Sequence, residues 1–530
     1  MSQRTPMMSW KGWGDPDRAQ ALSPDMRRLV HDALGVRADG PGVPGLAELQ
    51  LPGSQLSGQV ADRLAAVVGA SHVSTESEAR IRHLRGKSTP DLLALRLGDL
   101  SDSPDAVVWP GSHGEILELL KLCTAERIAV VPFGGGTSVV GGLAPDRTGF
   151  RAVVALDLSR LNRLVELDEI SRLVILEPGL RGPEAEARLA EHGYTLGHFP
   201  QSFEFASIGG FAAARSSGQA SAGYGRFDER VVALTVATPT GTVALGQAPK
   251  TAAGPDLRQL FLGSEGTLGV ITSLTVEIRP VPALRIYEGW RLPDFAAGSA
   301  VVRRLIQDGP VPTVLRLSDE VETALNLARP EAVGASGGSG CLLITGWEGP
   351  SNQVEETAQA TRTVLRNAGA ELVEGAGSDW AAGRFAAPYL RDALLDAGAL
   401  VETLETAGFW SALPALYESV RQALVQTLGR AGTPPVVLCH ISHVYRSGAS
   451  LYFTVACAQT ADPLEQWRLA KAAASRAILA AGGSITHHHG IGTEHRAWHH
   501  RQLGEQPVAV LRAVKRELDP AGILNPGILV

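Results

Sequence analysis

The stretch SHGEILELLKLCTAERIAVVPFGGGTS, Ser112 to Ser138, dictates three consecutive elements. Ser112 and Glu115 stand at capping-box spacing, and Ile116, Leu119, Leu120 and Cys123 then fall on one face of a helix. IAVVPF follows as a short apolar strand, and three glycines end it. A glycine run after a strand lets the backbone take positive φ, come close to a ligand and turn several N–H groups toward one anion. PFGGGTS is neither G-x-x-x-x-G-K-[ST] nor a clean G-x-G-x-x-G, so it supports neither a P-loop nor a Rossmann turn. Alone, it fits a phosphate cradle and a plain tight turn equally well.

Two further loops shift that balance. PQSFEFASIGGFAAARSSG gathers Ser202, Ser207, Gly209, Gly210, Ser216, Ser217 and Gly218 in one run, and GSEGTLGVI joins a glycine turn to a strand. Around them AVVALDL, LVILEPG, RVVALTVATPTGTVAL and GVITSLTVEIRP read as strands, with P-T-G as a hairpin turn. Three Gly/Ser/Thr-rich loops in one segment imply a large phosphate-bearing cofactor lying along the backbone.

The chain has 530 residues, more than the roughly 250 to 300 that one core supports, so at least two domains are expected. Residues 1 to about 100 hold helical pieces between Pro/Gly stretches such as GPGVPG and show no strand alternation. Residues from about 105 to 280 form an α+β unit, and Pro280 and Pro282 mark a boundary near 281. Beyond it, Arg303 to Asp308 reads as helix and CLLITGWEG as strand. A later helix, DPLEQWRLAKAAASRAILAAGG, is capped by Asp462, has Pro463 at its first position and stops at Gly482 and Gly483.

With 44% hydrophobic and 19% charged residues, the chain has the balance of a soluble enzyme. A net charge of −7 without a basic tract argues against nucleic acid. Cys123, Cys341, Cys439 and Cys457 lie far apart without a C-x-x-C, which excludes a disulfide scaffold and suits a reducing cytoplasm. The N-terminus lacks a signal-peptide core, no run approaches the ~20 apolar residues of a membrane span, and NPGILV is not an S-K-L address. A cytoplasmic protein is expected, and peripheral contact with a membrane surface stays open.

The helix that ends at Gly482 delivers the chain to SITHHHGIGTEHRAWHH, which holds six of the 14 histidines. Metal binding, proton handling and a polar surface all fit the local sequence. In an extended segment His487 and His489 would converge while His488 points away, and His495 and His499 would share a helical face. A zinc site needs a third protein ligand and an oriented outer shell, and no H-E-x-x-H or cysteine pair supplies one. No metal is therefore expected, and His495, His499 and His500 are expected to be solvated.

PFGGGTSVVGG, SIGG and GSEGTLGVITSLTVEIRP resemble the FAD-binding domain of the vanillyl-alcohol oxidase and p-cresol methylhydroxylase superfamily. Within it the chain resembles the alkyldihydroxyacetonephosphate synthases, flavoenzymes that make the ether bond of ether lipids. SWKGWGDP, GHFPQSFEFASIGG, APYLRD, VETLETAGFW, SLYFTVA and SITHHHGIG carry that likeness along nearly the whole chain, and PYLRD with a triple histidine is its specific part.

The resemblance implies an α+β fold: a helical region at 1–102, a two-part FAD-binding domain of the p-cresol methylhydroxylase (PCMH) type at 103–281, an antiparallel-sheet cap domain at 282–484, and a helical segment at 485–530 returning to the flavin. It implies non-covalent FAD along Pro132, Phe133, Gly134, Gly135, Gly136, Thr137 and Ser138; along Gln201, Ser202, Phe203, Glu204, Phe205, Ala206 and Ser207; along Ala214, Arg215, Ser216 and Ser217; and along Glu265, Gly266, Thr267, Leu268, Gly269, Val270 and Ile271. It makes Tyr452 the acid–base residue, His487, His488 and His489 active-site histidines, Arg391 the contact of the fatty carboxylate, and Arg316 an arginine whose integrity the family needs. The implied reaction exchanges an acyl group for a fatty alcohol on a dihydroxyacetone phosphate backbone without net redox change, with flavin N5 as the handle on the substrate. A proton must leave and a carboxylate depart, which calls for an acid–base group and a planar cationic fork.

On residue type alone, Arg391 reads as a surface arginine, Tyr452 as a packing aromatic in an alternating strand, and Arg316 as the neutraliser of Asp319 or a buried carboxylate. Two departures from the family pattern stand out: GIGTEHRAW is less basic than usual after the histidines, and DPAGILNPGIL is closer to the flavin-dependent D-2-hydroxy acid dehydrogenases. The alternatives are thus an FAD-linked oxidoreductase acting on a hydroxy acid or alcohol, and a flavin-binding protein without turnover. The expected partners are a lipid-like or small-molecule substrate and a second copy of the chain, not nucleic acid.

Overall fold

The computed structural model describes residues 7–19, 21–325 and 339–530. The helix expected after Ser112 spans His113–Glu126, buries Ile116, Leu119, Leu120 and Cys123, and is capped by the Ser112 hydroxyl on the Glu115 N–H. The strand that follows is Ile128–Phe133. It pairs in parallel with Ala152–Asp157, which pairs in parallel with Ala106–Val108.

The first hundred residues are not free of strand: Val73–Ser74 adds an antiparallel edge to this sheet, and the helix Gly58–Val68 packs Leu64 and Val68 into its core. Two residues carry no period, so alternation could not show them.

A second sheet is antiparallel throughout, in the order Leu164–Asp168, Leu173–Leu176, Val270–Glu277, Val231–Thr238, Gly241–Leu245. Its last two strands are the hairpin closed by P-T-G. The chain's end comes back to the first sheet, where the Val130 N–H donates to the Ile523 carbonyl and the Asn525 N–H to that of Val130.

From Leu284 the chain builds an eight-stranded antiparallel sheet that includes the Cys341–Gly349 strand expected from CLLITGWEG. Its inner strands are Val314–Ser318, Val436–Ile441 and Gly448–Ala458, with Ala399–Phe409 beyond. Period-2 alternation sorts each of them into two faces. Leu315, Leu317, Cys439, Ile441, Leu451, Phe453, Val455 and Cys457 enter one large apolar core. Arg316, Ser318, His440 and Tyr452 fall on the opposite face. Helices Phe295–Asp308, Leu413–Arg430 and Pro463–Ala480 contribute to the same core, the last beginning at Asp462 and Pro463 as expected. No helix among the described residues is long and apolar enough to cross a membrane.

Candidate active site

The three glycine-rich loops converge. Gly134 lies against the Ser207 hydroxyl, Gly135 against the Phe205 carbonyl, and Gly266 against the Pro132 ring. Among the described residues, the N–H groups of Gly134, Gly135, Gly136 and Thr137 donate to no protein atom. Four consecutive backbone donors without partners, at the end of a parallel strand, match what a diphosphate needs. A Cβ on Gly135 would lie 2.0 Å from the Phe205 oxygen, so any side chain there pries two loops apart. Gly135→Ala is therefore expected to purify with less than half the wild-type flavin, read as the ratio of flavin to protein absorbance; full flavin content would contradict this placement.

The four segments divide their work between backbone and side chains. Phe205 packs edge-on to Trp13, Glu204 pairs with Arg18, Ser207 caps the helix Ile208–Ala213, and Gln201 is exposed. Leu268, Val270 and Ile271 are core residues. Glu265 does not turn its carboxylate toward the Gly134–Thr137 turn. It accepts the N–H groups of Ile491 at 2.7 Å and Gly492 at 3.1 Å, which ties this loop to the G-I-G turn after the histidines. Gly492, at φ +51°, has no room for a side chain, since its Cβ would lie 1.9 Å from the Val140 carbonyl. The Asn525 amide donates to the carbonyls of Gly142 and Glu265, so the N-P-G ending closes the same loops.

Across the cap sheet, Glu405 stands opposite Tyr452 and Tyr452 opposite His440, with Ser318 next. The His440 ring stacks on Tyr452 with centroids 4.8 Å apart, His488 lies near-parallel to the phenol at 6.1 Å, and His489 meets it edge-on at 5.4 Å. Arg316 sits behind this row. Its Nη2 reaches Glu322 at 2.6 Å and His440 Nδ1 at 3.0 Å, and Glu322 also holds His440 Nδ1 at 2.9 Å. Arg316 thus neutralises a buried carboxylate, Glu322 rather than Asp319, and fixes the ring that backs Tyr452.

Glu405 organises the triple histidine. Its carboxylate accepts the N–H groups of His487 at 2.5 Å, His488 at 3.0 Å and His489 at 2.9 Å, and the Thr486 hydroxyl at 2.6 Å. Burial alone would push this carboxyl up. The neighbouring imidazoles and the Thr486 bond outweigh burial and hold it well below the ordinary 4.5. Burial drives His487, His488 and His489 below the ordinary 6.5, His489 to about 3, so the three rings are neutral near pH 7. Burial raises Tyr452 to about 12, so its phenol keeps its proton. The site can give a proton from oxygen and take one on nitrogen.

The histidine segment is turned rather than extended, which corrects the expected alternation. His487 and His488 face each other with Nδ1 atoms 2.9 Å apart, and His443 joins them, 5.0 Å from His487 and 4.9 Å from His488 between ring centroids. His443 supplies the third imidazole that sequence spacing did not reveal, and nitrogens of the three rings lie within 4.8 Å of one another. Most of their bonding capacity is already used. His443 Nδ1 meets the hydroxyls of Ser217 and Ser221 at 2.9 and 2.7 Å, His487 Nε2 meets the Tyr445 hydroxyl at 2.6 Å, and the two Nδ1 atoms share one proton. A chelator is expected to leave turnover and flavin content unchanged; loss restored by added zinc would make the trio a metal centre.

His495 is not solvated: it is buried at 1% exposure with Nδ1 2.9 Å from the Gly490 carbonyl, while His499 and His500 are half-buried. The short step from Gly490 into the helix Gly492–Leu503 folds His495 back under the loop. Arg391 is no surface residue either. Nε and Nη2 both donate to Asp392, Nη1 donates to the Lys87 carbonyl at 2.5 Å, and Tyr452 and Glu402 are among the groups acting on its charge. Two of its five N–H groups remain for a ligand. Sequence reasoning missed His440, His443, Tyr445, Glu322, Glu402 and Glu405. H-x-x-H-x-Y between two strands was the available signal.

Two family profiles match the chain: a FAD binding domain over residues 104–245 and the C-terminal domain of FAD linked oxidases over 281–529. FAD is the cofactor, and the unpartnered N–H row offers the donors that its diphosphate needs. The alkyldihydroxyacetonephosphate synthase of Dictyostelium discoideum is 34% identical over 85% of this chain and 77% of its own length. That of Trypanosoma brucei brucei is 31% identical over 99% and 92%. A solved alkyldihydroxyacetonephosphate synthase structure superposes with a TM-score of 0.85 at 29% identity, covering 99% of both chains. Similarity of this extent shows that the chain belongs to the alkyldihydroxyacetonephosphate synthase family.

Proposed function

We propose that the chain is an FAD-dependent synthase of the alkylglycerone-phosphate type, which exchanges the acyl group of an acyl-dihydroxyacetone phosphate for a fatty alcohol. One observation carries this reading: a protonated phenol, Tyr452, is flanked by neutral imidazoles, and Arg391, on whose charge Tyr452 acts, keeps two N–H groups for a carboxylate. When bound, the flavin supplies a ring nitrogen able to attach to the substrate carbon.

The protein's part is acid–base work and positioning. His488 or His489 takes the proton that leaves the substrate carbon and returns one to it after the alkoxide has entered, so the carbon keeps two hydrogens. Arg391 draws the departing fatty carboxylate, to which Tyr452 donates a hydrogen bond, and the Tyr452 oxygen then takes the proton of the entering alcohol as its own passes to a neighbouring imidazole. Entry of an alkoxide and exit of a carboxylate leave the redox state unchanged, so no electron acceptor is required. The substrate is lipid-like, and the acyl donor and the alcohol each bring one long chain that needs apolar space beside this polar row.

The oxidoreductase alternative is tested by mixing the yellow holoenzyme with D-lactate and related 2-hydroxy acids without oxygen. The flavin absorbance is expected to stay unchanged. Rapid bleaching would move the assignment to a D-2-hydroxy acid dehydrogenase, whose C-terminal ending this chain shares.

A further inference from the structure

One proton per turnover, released as the alcohol becomes an ether and the carboxylate departs, needs an exit, and the imidazoles around Tyr452 are at most partly exposed. A cavity of about 570 Å³ lies beside the histidine loop, lined by Tyr445, Ser447, Ser484, Arg501 and Phe409 among others. Phe409 is 68% exposed, so the cavity reaches the surface. Its inner wall carries Tyr445, whose hydroxyl is 2.6 Å from His487 Nε2, and His487 Nδ1 is 2.9 Å from His488 Nδ1. His488 in turn lies along the Tyr452 ring.

We propose that Tyr445, His487 and His488 form a proton relay that joins the Tyr452 pocket to water in this cavity. One assignment satisfies every partner. His488 carries its proton on Nδ1 and donates to His487 Nδ1. His487 carries its own on Nε2 and donates to the Tyr445 oxygen, which Arg226 also bonds. Tyr445 is left to donate into the cavity. His488 Nε2 has no protein partner among the described residues, which leaves it free to take the incoming proton. A proton arriving there makes an imidazolium, and the Nδ1 proton of His488 then moves to His487 Nδ1. The Nε2 proton of His487 moves to the Tyr445 oxygen, and the phenolic proton of Tyr445 leaves to water. One proton enters and one leaves; no electrons move, and reversal of the tautomers resets the chain. Arg226 also holds the His487 carbonyl at 3.2 Å and the Glu405 carboxylate holds the three histidine N–H groups, so the relay stands on a fixed backbone.

The relay rests on the proposed synthase chemistry, and Tyr445→Phe holoenzyme tests it separately. The ring stays and only the hydroxyl is lost. Turnover with acyl-dihydroxyacetone phosphate and hexadecanol is expected to fall about tenfold or more, with KM within a factor of about two and flavin content unchanged. The solvent deuterium isotope effect on kcat should rise above that of the wild type, and added imidazole, small enough for the cavity, should restore rate with concentration. An unchanged kcat and isotope effect would overturn the relay. So would a fall accompanied by flavin loss and no imidazole rescue, since Tyr445 would then merely hold the loop. A wild-type protein that makes no ether product would sink the synthase reading instead, before the variant is compared.

Discussion

Replacing Tyr452 by phenylalanine is expected to lower turnover by about 10²- to 10⁴-fold, the usual worth of a positioned acid–base group, while the protein stays folded and yellow. The ring has a structural surrounding that survives the change: His440 on one side at 4.8 Å, with His488 and His489 packed around it. The neighbours in the strand, Leu451 and Phe453, anchor it from the core side. Only the phenolic proton is lost, and burial had reserved that proton by raising the group to about 12. The measurement is kcat beside the thermal midpoint and the flavin spectrum. Turnover within a factor of about three of wild type would remove Tyr452 from the chemistry and leave it a packing aromatic.

The second large effect is expected at Glu405, a residue that touches no reacting atom. Its fully buried carboxylate accepts four donors from Thr486, His487, His488 and His489. Glu405→Ala leaves those donors without partners, at a cost of about 3 to 5 kcal/mol by analogy with breaking a buried ionic contact. Glu405→Gln keeps the shape but turns an amide toward N–H groups, so it should lose most of the same stabilisation. Both variants should lose activity at least 100-fold, as expected when catalytic groups are displaced by about an ångström. Because the carboxyl is held well below 4.5, its contribution is complete above that pH and disappears as the pH falls further. The wild type should therefore lose stability on acidification below pH about 4.5 more steeply than Glu405→Gln. Equal acid profiles, or an alanine variant with normal activity, would show that the histidine loop holds its shape without this clasp.

Much of the frame was legible because its signals are local. The helix His113–Glu126 announced itself by period and cap, the strand Ile128–Phe133 by its apolar run, and the Asp462–Pro463 start by capping chemistry. The glycine loops were legible because only glycine tolerates their close approaches. What escaped depended on distant partners. Glu405 sits in an alternating strand like any polar residue, and its partners lie about 80 positions further on. His443 falls in the two-residue link after Val436–Ile441 and Tyr445 in the two-residue strand Val444–Tyr445, and they join the site only because the cap sheet brings Val436–Ile441 beside Gly448–Ala458. Arg391 and Arg316 were singled out by resemblance, but their partners, Asp392 with the Lys87 carbonyl and Glu322 with His440, follow from packing alone. His495 was misplaced on the surface because polarity was taken for exposure, whereas a backbone carbonyl satisfies its ring in the interior.

Product analysis decides whether this flavin site exchanges an acyl group for an alcohol without net oxidation. Purified holoenzyme is incubated without oxygen with acyl-dihydroxyacetone phosphate and a fatty alcohol, and ether product and released fatty acid are quantified together. Both are expected in a one-to-one ratio, over many turnovers and with the flavin spectrum restored at the end. Absence of ether product, or fatty acid released without it, would mean that the site does not perform this exchange.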